Sequence, residues 1–152
     1  MEKNIKDYLP WGLAIFVAVI FVQSLYFKFT NSFETQHIFG TIGTWIRELG
    51  LPAAFADTFS VYGGYVVGTI ELIAALLLLR SSTQFFGALI SISVISGAIF
   101  FHLFTPLGVN VIINEAGETD GGQLFALAVG VFVASAVLLR LRRQTLTEIL
   151  RG

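Results

Sequence analysis

Residues Tyr62–Arg80, YGGYVVGTIELIAALLLLR, decide how this chain is read. The stretch is long and apolar enough to cross a bilayer as one helix, and it holds a single carboxylate, Glu71, nine residues from either end. At a helical rise of about 1.5 Å per residue, the carboxylate lies about 13 Å from each boundary, close to the middle of a hydrocarbon layer. An acidic group placed there costs about 2.5–3.5 kcal/mol on insertion scales, so it faces other helices, finds a partner or takes up a proton. Gly64, Gly68, Glu71 and Ala75 follow one another at offsets of four, three and four, which puts them on one stripe of the helix. Small residues admit a close neighbour, so this is the packed face, and Glu71 is expected to point inward.

The rest of the chain agrees with a membrane setting. Of its 152 residues 55% are hydrophobic and only 12% charged, with a mean hydropathy of +0.81. The length suits a single domain, 1–152. A net charge of −1 and the lack of any basic, aromatic-interleaved run speak against nucleic-acid binding. With no cysteine, the chain has no thiolate nucleophile, disulfide exchange or cysteine-ligated iron–sulfur cluster.

The expected architecture is an all-α membrane protein, an antiparallel bundle of four transmembrane helices, with an additional amphipathic helix between spans one and two. Span one covers about 10–29, with Pro10 in its first turn, Trp11 as an interface anchor and Lys28 at its end. The N-terminal apolar run is longer than a signal core and is followed by no small-x-small cleavage site, which marks a retained span. From 33 to 49 the residues Ile38, Phe39, Ile42, Trp45, Ile46 and Leu49 recur at helical spacing, with Asn31 and Glu34 in a capping arrangement. Gly50 and Pro52 end that helix, and Ala53–Phe59 is expected to be a separate short one. Spans two, three and four cover about 62–80, 85–104 and 121–139. Gly87, Ser91, Ala98 and His102 share a stripe of span three, and Asp120 with Gln123 fits an N-cap for span four. Residues 109–120 read equally as hairpin or loop.

Charge sets the orientation. With both termini cytoplasmic, the inner side holds Lys3, Lys6, Arg80, Arg140, Arg142, Arg143 and Arg151, and the outer side only Lys28 and Arg47. Lys28, His102 and Asp120 then lie at the outer ends of their spans, and Gln23 lies near the depth of Glu71. These five residues are the candidate ligand-binding set: Glu71 and Gln23 as the floor of an outward-facing vestibule, Lys28, His102 and Asp120 as its rim, and the 33–49 helix as its cover. Below Glu71 the interior is expected to be apolar apart from Ser91 and Ser93. Each assignment has a plainer counterpart. Lys28 can snorkel to headgroups, His102 can be an interfacial histidine, Asp120 can be only a cap, and Glu71 can serve packing alone. No histidine spacing indicates a metal, and no serine-nucleophile motif surrounds either histidine.

Short segments spread over most of the chain resemble the DoxX-like family of small four-span bacterial membrane proteins. They are FKF at Phe27–Phe29, LGLPAAFA at Leu49–Ala56, the glutamate of span two followed by LLLLR at Leu76–Arg80, GAL at Gly87–Leu89 and GAIFFHL at Gly97–Leu103. On that resemblance Lys28, Glu71, Arg80 and His102 match the recurring polar residues of the family. The chain departs from the family at Ile73, Ala74 and Ile95, where relatives often carry glycines and a methionine. The resemblance implies a four-helix bundle in the bacterial cytoplasmic membrane. It also implies a role near quinone-linked or oxidative-stress redox systems, some relatives being membrane subunits of thiosulfate:quinone oxidoreductases.

Three functional readings follow from these residues. The first is a membrane component of a redox system that holds a quinone, a lipid or another small amphipathic molecule in the vestibule, beside a membrane or periplasmic redox partner. The second is a non-enzymatic accessory or scaffold subunit whose polar residues only fix packing. The third is a small-solute transporter, which four spans would favour only as a homo-oligomer. In none of them is the chain a complete enzyme by itself.

Overall fold

The computed structural model describes the backbone of residues 5–151 and the side chains of 8–143. It is all-helical: α1 (Ile5–Phe29), α2 (Phe33–Glu48), α3 (Ala53–Leu78), α4 (Gln84–Phe104) and α5 (Gln123–Arg151). Four of these contain segments long and apolar enough to cross a membrane, namely Tyr8–Phe29, Ala53–Leu78, Gln84–Phe104 and Gln123–Arg143. Lys3, Lys6 and Arg151, which enter the charge count, and the tail beyond Arg143 lie outside the described side chains.

Four boundaries differ from the sequence expectation. Helix α1 is already formed at Ile5, so Pro10 lies inside it and forgoes the bond to the carbonyl of Lys6. Residues Ala53–Phe59 are not a separate helix; they are the first turns of α3, which continues unbroken because nothing between Phe59 and Gly63 stops a helix. The α2 cap moves by one residue. Ser32, not Asn31, accepts the Thr35 N–H at 3.3 Å, because Asn31 takes the left-handed conformation (φ 49°) that closes the preceding turn. Leu139 is also not an end, since α5 runs on to Arg151.

The four long helices pack as a ring in which α1 sits between α3 and α5, α4 also sits between α3 and α5, and α1 and α4 barely meet. One half of the ring is closed by small and branched residues, among them Ala14, Val17, Ala18, Ala74, Ala75, Leu78, Ala88, Val131, Ala134 and Leu138. Ser91 is fully buried there, its hydroxyl donating to the Gly87 carbonyl at 2.8 Å. Ser93 is not in that interior; two residues on, it falls on the opposite side of α4 and is exposed. The other end of this core carries a polar lock the sequence reading did not single out, Arg142 Nε donating to Oε1 of the buried Gln84 at 2.7 Å.

The opposite half is roofed by α2 and the 105–122 connection. Thr35, Phe39, Ile42, Gly43 and Ile46 are the buried residues of α2, and Phe39 lies over Gly63 and Gly64 of α3. Ile42, Ile46 and Ala56 form a second core with Leu107 and Val111 of the connection. The connection is hairpin-like, with one antiparallel bridge between Ile112 and Thr119 and a turn in which Asn114 Oδ1 accepts the N–H groups of Ala116 and Glu118, both at 3.1 Å.

The closed half depends on how near α3 and α4 come to each other. A Cβ built on Gly87 would lie 2.8 Å from the backbone nitrogen of Leu78 and 3.0 Å from the carbonyl oxygen of Ala74, so backbone would have to move to admit it. Gly87→Val is therefore expected to destabilise the fold by about 1–3 kcal/mol, read as a lowered unfolding midpoint in detergent, whereas Gly97→Val, where a Cβ meets nothing within 4 Å, leaves it unchanged.

Candidate functional site

Between the closed half and the roof lies a cavity of about 510 Å³, within the size range of small-molecule sites. Its walls come from α1, α3, α4 and α5, and its roof from α2 (Thr35, Phe39 and Ile42 among others) and the connection. Glu71, Lys28, Gln23, His102 and Asp120 all line it, so the structure brings the five candidate residues around one space. Ser24 and Glu34, absent from that set, line it as well.

The floor is an ion pair. Lys28 Nζ lies 2.8 Å from Glu71 Oε2, with side-chain exposures of 17% and 6%. Ser24 Oγ donates to the same oxygen at 2.8 Å. Lys28 therefore turns inward and does not snorkel. The aliphatic stem of Lys28 crosses α3 at Gly68, with its Cβ and Cδ each 3.4 Å from where a glycine Cβ would stand, so the small residue gives it room. Both donors use Oε2. Among the described residues no hydrogen bond reaches Oε1, which is also not one of the sealed, unpartnered buried atoms, so it is open to the cavity.

Gln23 does not share the floor as expected. Helical geometry puts Ser24, four residues before Lys28, on the lysine's face of α1, and leaves Gln23 on an exposed flank. His102 is buried and tied to the roof, its Nδ1 2.7 Å from the Gly108 carbonyl, with its ring edge-on to Phe125. An imidazole that donates from Nδ1 to a carbonyl keeps Nε2 for another partner.

Asp120 joins the connection to α5. One carboxylate oxygen accepts the N–H of Val111 at 2.8 Å and of Gly122 at 3.1 Å, and the other accepts that of Leu124 at 2.7 Å. It thus caps α5 and pins the hairpin at once. Burial pushes its carboxyl up, but the backbone donors of Leu124, Val111 and Gly122, helped by His102, outweigh it and hold the group below its ordinary range. Glu34 goes the other way: burial raises it and Asp120 adds to the rise, against the pull of Lys28. Its position was legible, since Glu34, Ile38 and Ile42 recur every fourth residue along the cavity face of α2.

No group of three or more metal-ligating side chains is gathered among the described residues. What the arrangement can do is bind. It offers an ammonium donor at Lys28, an open acceptor at Glu71 Oε1, and a largely apolar wall from Ile20, Phe21, Ile95 and Ala128.

Two outcomes follow. Removing one partner of a buried pair strands the other charge, so Glu71→Ala or Lys28→Ala should each cost about 3 kcal/mol of stability, while Lys28→Met with Glu71→Leu together should cost much less. Equal losses in the single and double variants by detergent unfolding would contradict this. For Glu34 the folded state holds the proton more tightly than the unfolded chain, so stability falls as pH rises above its ordinary value of 4.5 and through the raised folded-state value. Glu34→Gln should remove that decline in a pH series of unfolding midpoints.

No family model, no curated protein and no solved structure matches this chain, so the site is read from its own geometry.

Proposed function

We propose that the chain is a DoxX-like integral membrane protein of the bacterial cytoplasmic membrane. In this reading it is an antiparallel four-span bundle with both termini cytoplasmic and the amphipathic α2 lying over its outer mouth. Its role is to hold a small amphipathic molecule in the outward-facing cavity, as the membrane component of a quinone-linked or other redox system. The observation that carries the reading is the Lys28–Glu71 pair at the floor of a cavity of about 510 Å³ with Oε1 left open. A pair needed only for packing would be enclosed by side chains; this one is presented to a space of ligand size.

The chemistry fits a head group that both accepts and donates. A carbonyl accepts from the Lys28 ammonium, and a hydroxyl donates to Glu71 Oε1, so one site accommodates a quinone-type carbonyl or its hydroxyl form. The chain has no cysteine to ligate an iron–sulfur cluster. In the proposed role, electrons come from a partner protein on the outer side, and this chain binds and orients.

The test is to extract the protein in mild detergent and analyse the bound small molecules by mass spectrometry. A stoichiometric quinone or lipid is expected, and Glu71→Gln, which keeps the shape but not the charge, should lower its occupancy by about ten-fold. Unchanged occupancy in that variant would remove Glu71 from the site. No bound amphiphile in the wild type, with no copurifying partner, would leave the scaffold reading in its place.

A further inference from the structure

The wall of the cavity formed by α4 is not continuous. Ile95 and His102 are buried on its inner face and line the cavity there. Ser93 lies roughly 200° around the helix from Ile95, on the exposed outer side, yet it lines the same cavity. Space that touches both sides of a helix has to pass its flank. The flank carries Gly97, where an added Cβ would meet nothing within 4 Å, and next to it the cavity is lined by Val94 and Phe101 of α4 and by the half-buried Val67 of α3. The gap is therefore between α3 and α4, and its edges are apolar.

Its height matters as much as its chemistry. Ser93 is nine residues from the start of α4 and eleven from its end, which places the gap about 13 and 16 Å from the two ends of the span. At that height a bilayer offers hydrocarbon and no water. We propose that the gap beside Gly97 is a lateral portal, through which the cavity takes a lipid with a hydrogen-bonding head and a single long hydrocarbon tail directly from the bilayer core. The head seats at Lys28 and Glu71, and the tail leaves through the portal. This rests on reading the cavity as a ligand site, and it adds the tail and the route.

Two photoreactive alcohols test it with the protein in nanodiscs: a diazirine-bearing hexadecanol, which partitions into the bilayer, and a diazirine-bearing hexanol, which also reaches the cavity from water. Wild type should capture the long probe on Val67, Val94 and Phe101. Gly97→Trp, which fills the gap, should lower that capture by about ten-fold, the equivalent of withdrawing about two buried methylenes, and should capture the short probe as wild type does. Equal capture of the long probe by both proteins would overturn the portal and leave the ligand site standing. Failure of wild type to capture either probe on cavity residues would overturn both. A misfolded Gly97→Trp protein would show itself by losing the short probe too; Ser93→Trp, on the outer face, then decides by the same criterion.

Discussion

The salt bridge between Lys28 and Glu71 constrains this structure more than any other contact. Each charge is costly to bury and tolerable only beside the other, so α1 and α3 have to meet with their residues in register. At that register the lysine stem passes close over Gly68, its Cβ and Cδ each 3.4 Å from where a glycine Cβ would stand. Ser24, one turn away, supplies a further donor to the same carboxylate oxygen. The two helices cannot slide by a turn without stranding a charge, which is a stronger specification than their apolar faces give by themselves.

The cavity is a consequence of how the two halves are filled. Alanines, valines and close-approach glycines close one half of the ring, where Gly87 lets α4 lie against the backbone of α3. Past Glu71 the same helices carry Lys28 and His102 and the roof brings Glu34 and Asp120, and all four line the open space. The roof is held by its own contacts, the aromatic and aliphatic core of α2 with Leu107 and Val111, and Asp120 bonded to both the hairpin and α5.

Much of this was legible from residue spacing. The apolar runs place four helices long enough to span, and the stripe Gly64, Gly68, Glu71, Ala75 gives the inward face of α3, all four of which are buried. The same reasoning singled out Lys28, His102 and Asp120, which line one cavity with Glu71. It failed where one residue changes the face. Gln23, chosen for its depth, also lines the cavity, but depth does not fix direction, and it is Ser24 that bonds the Glu71 carboxylate. Ser93 was grouped with Ser91 although two residues along a helix point to opposite sides. The join of Ala53–Phe59 to α3 was missed because span two was bounded at Tyr62 by its apolar run, although α3 continues unbroken from Ala53 and Gly63 and Gly64 lie inside it. In the fold they are the bed on which Phe39 rests. The three-way role of Asp120 depends on the hairpin fold of 109–120, which the sequence left open.

The central claim is that Glu71 and Lys28 meet, inside a lipid bilayer, at the floor of the cavity. The direct measurement is a solid-state NMR dipolar-recoupling distance between a labelled Lys28 Nζ and the Glu71 carboxylate carbon in reconstituted membranes, with Lys28→Arg to assign the signal. The account predicts direct contact, as the 2.8 Å separation of nitrogen and oxygen requires. A separation beyond about 6 Å, outside the range in which opposite charges hold one another, would contradict it.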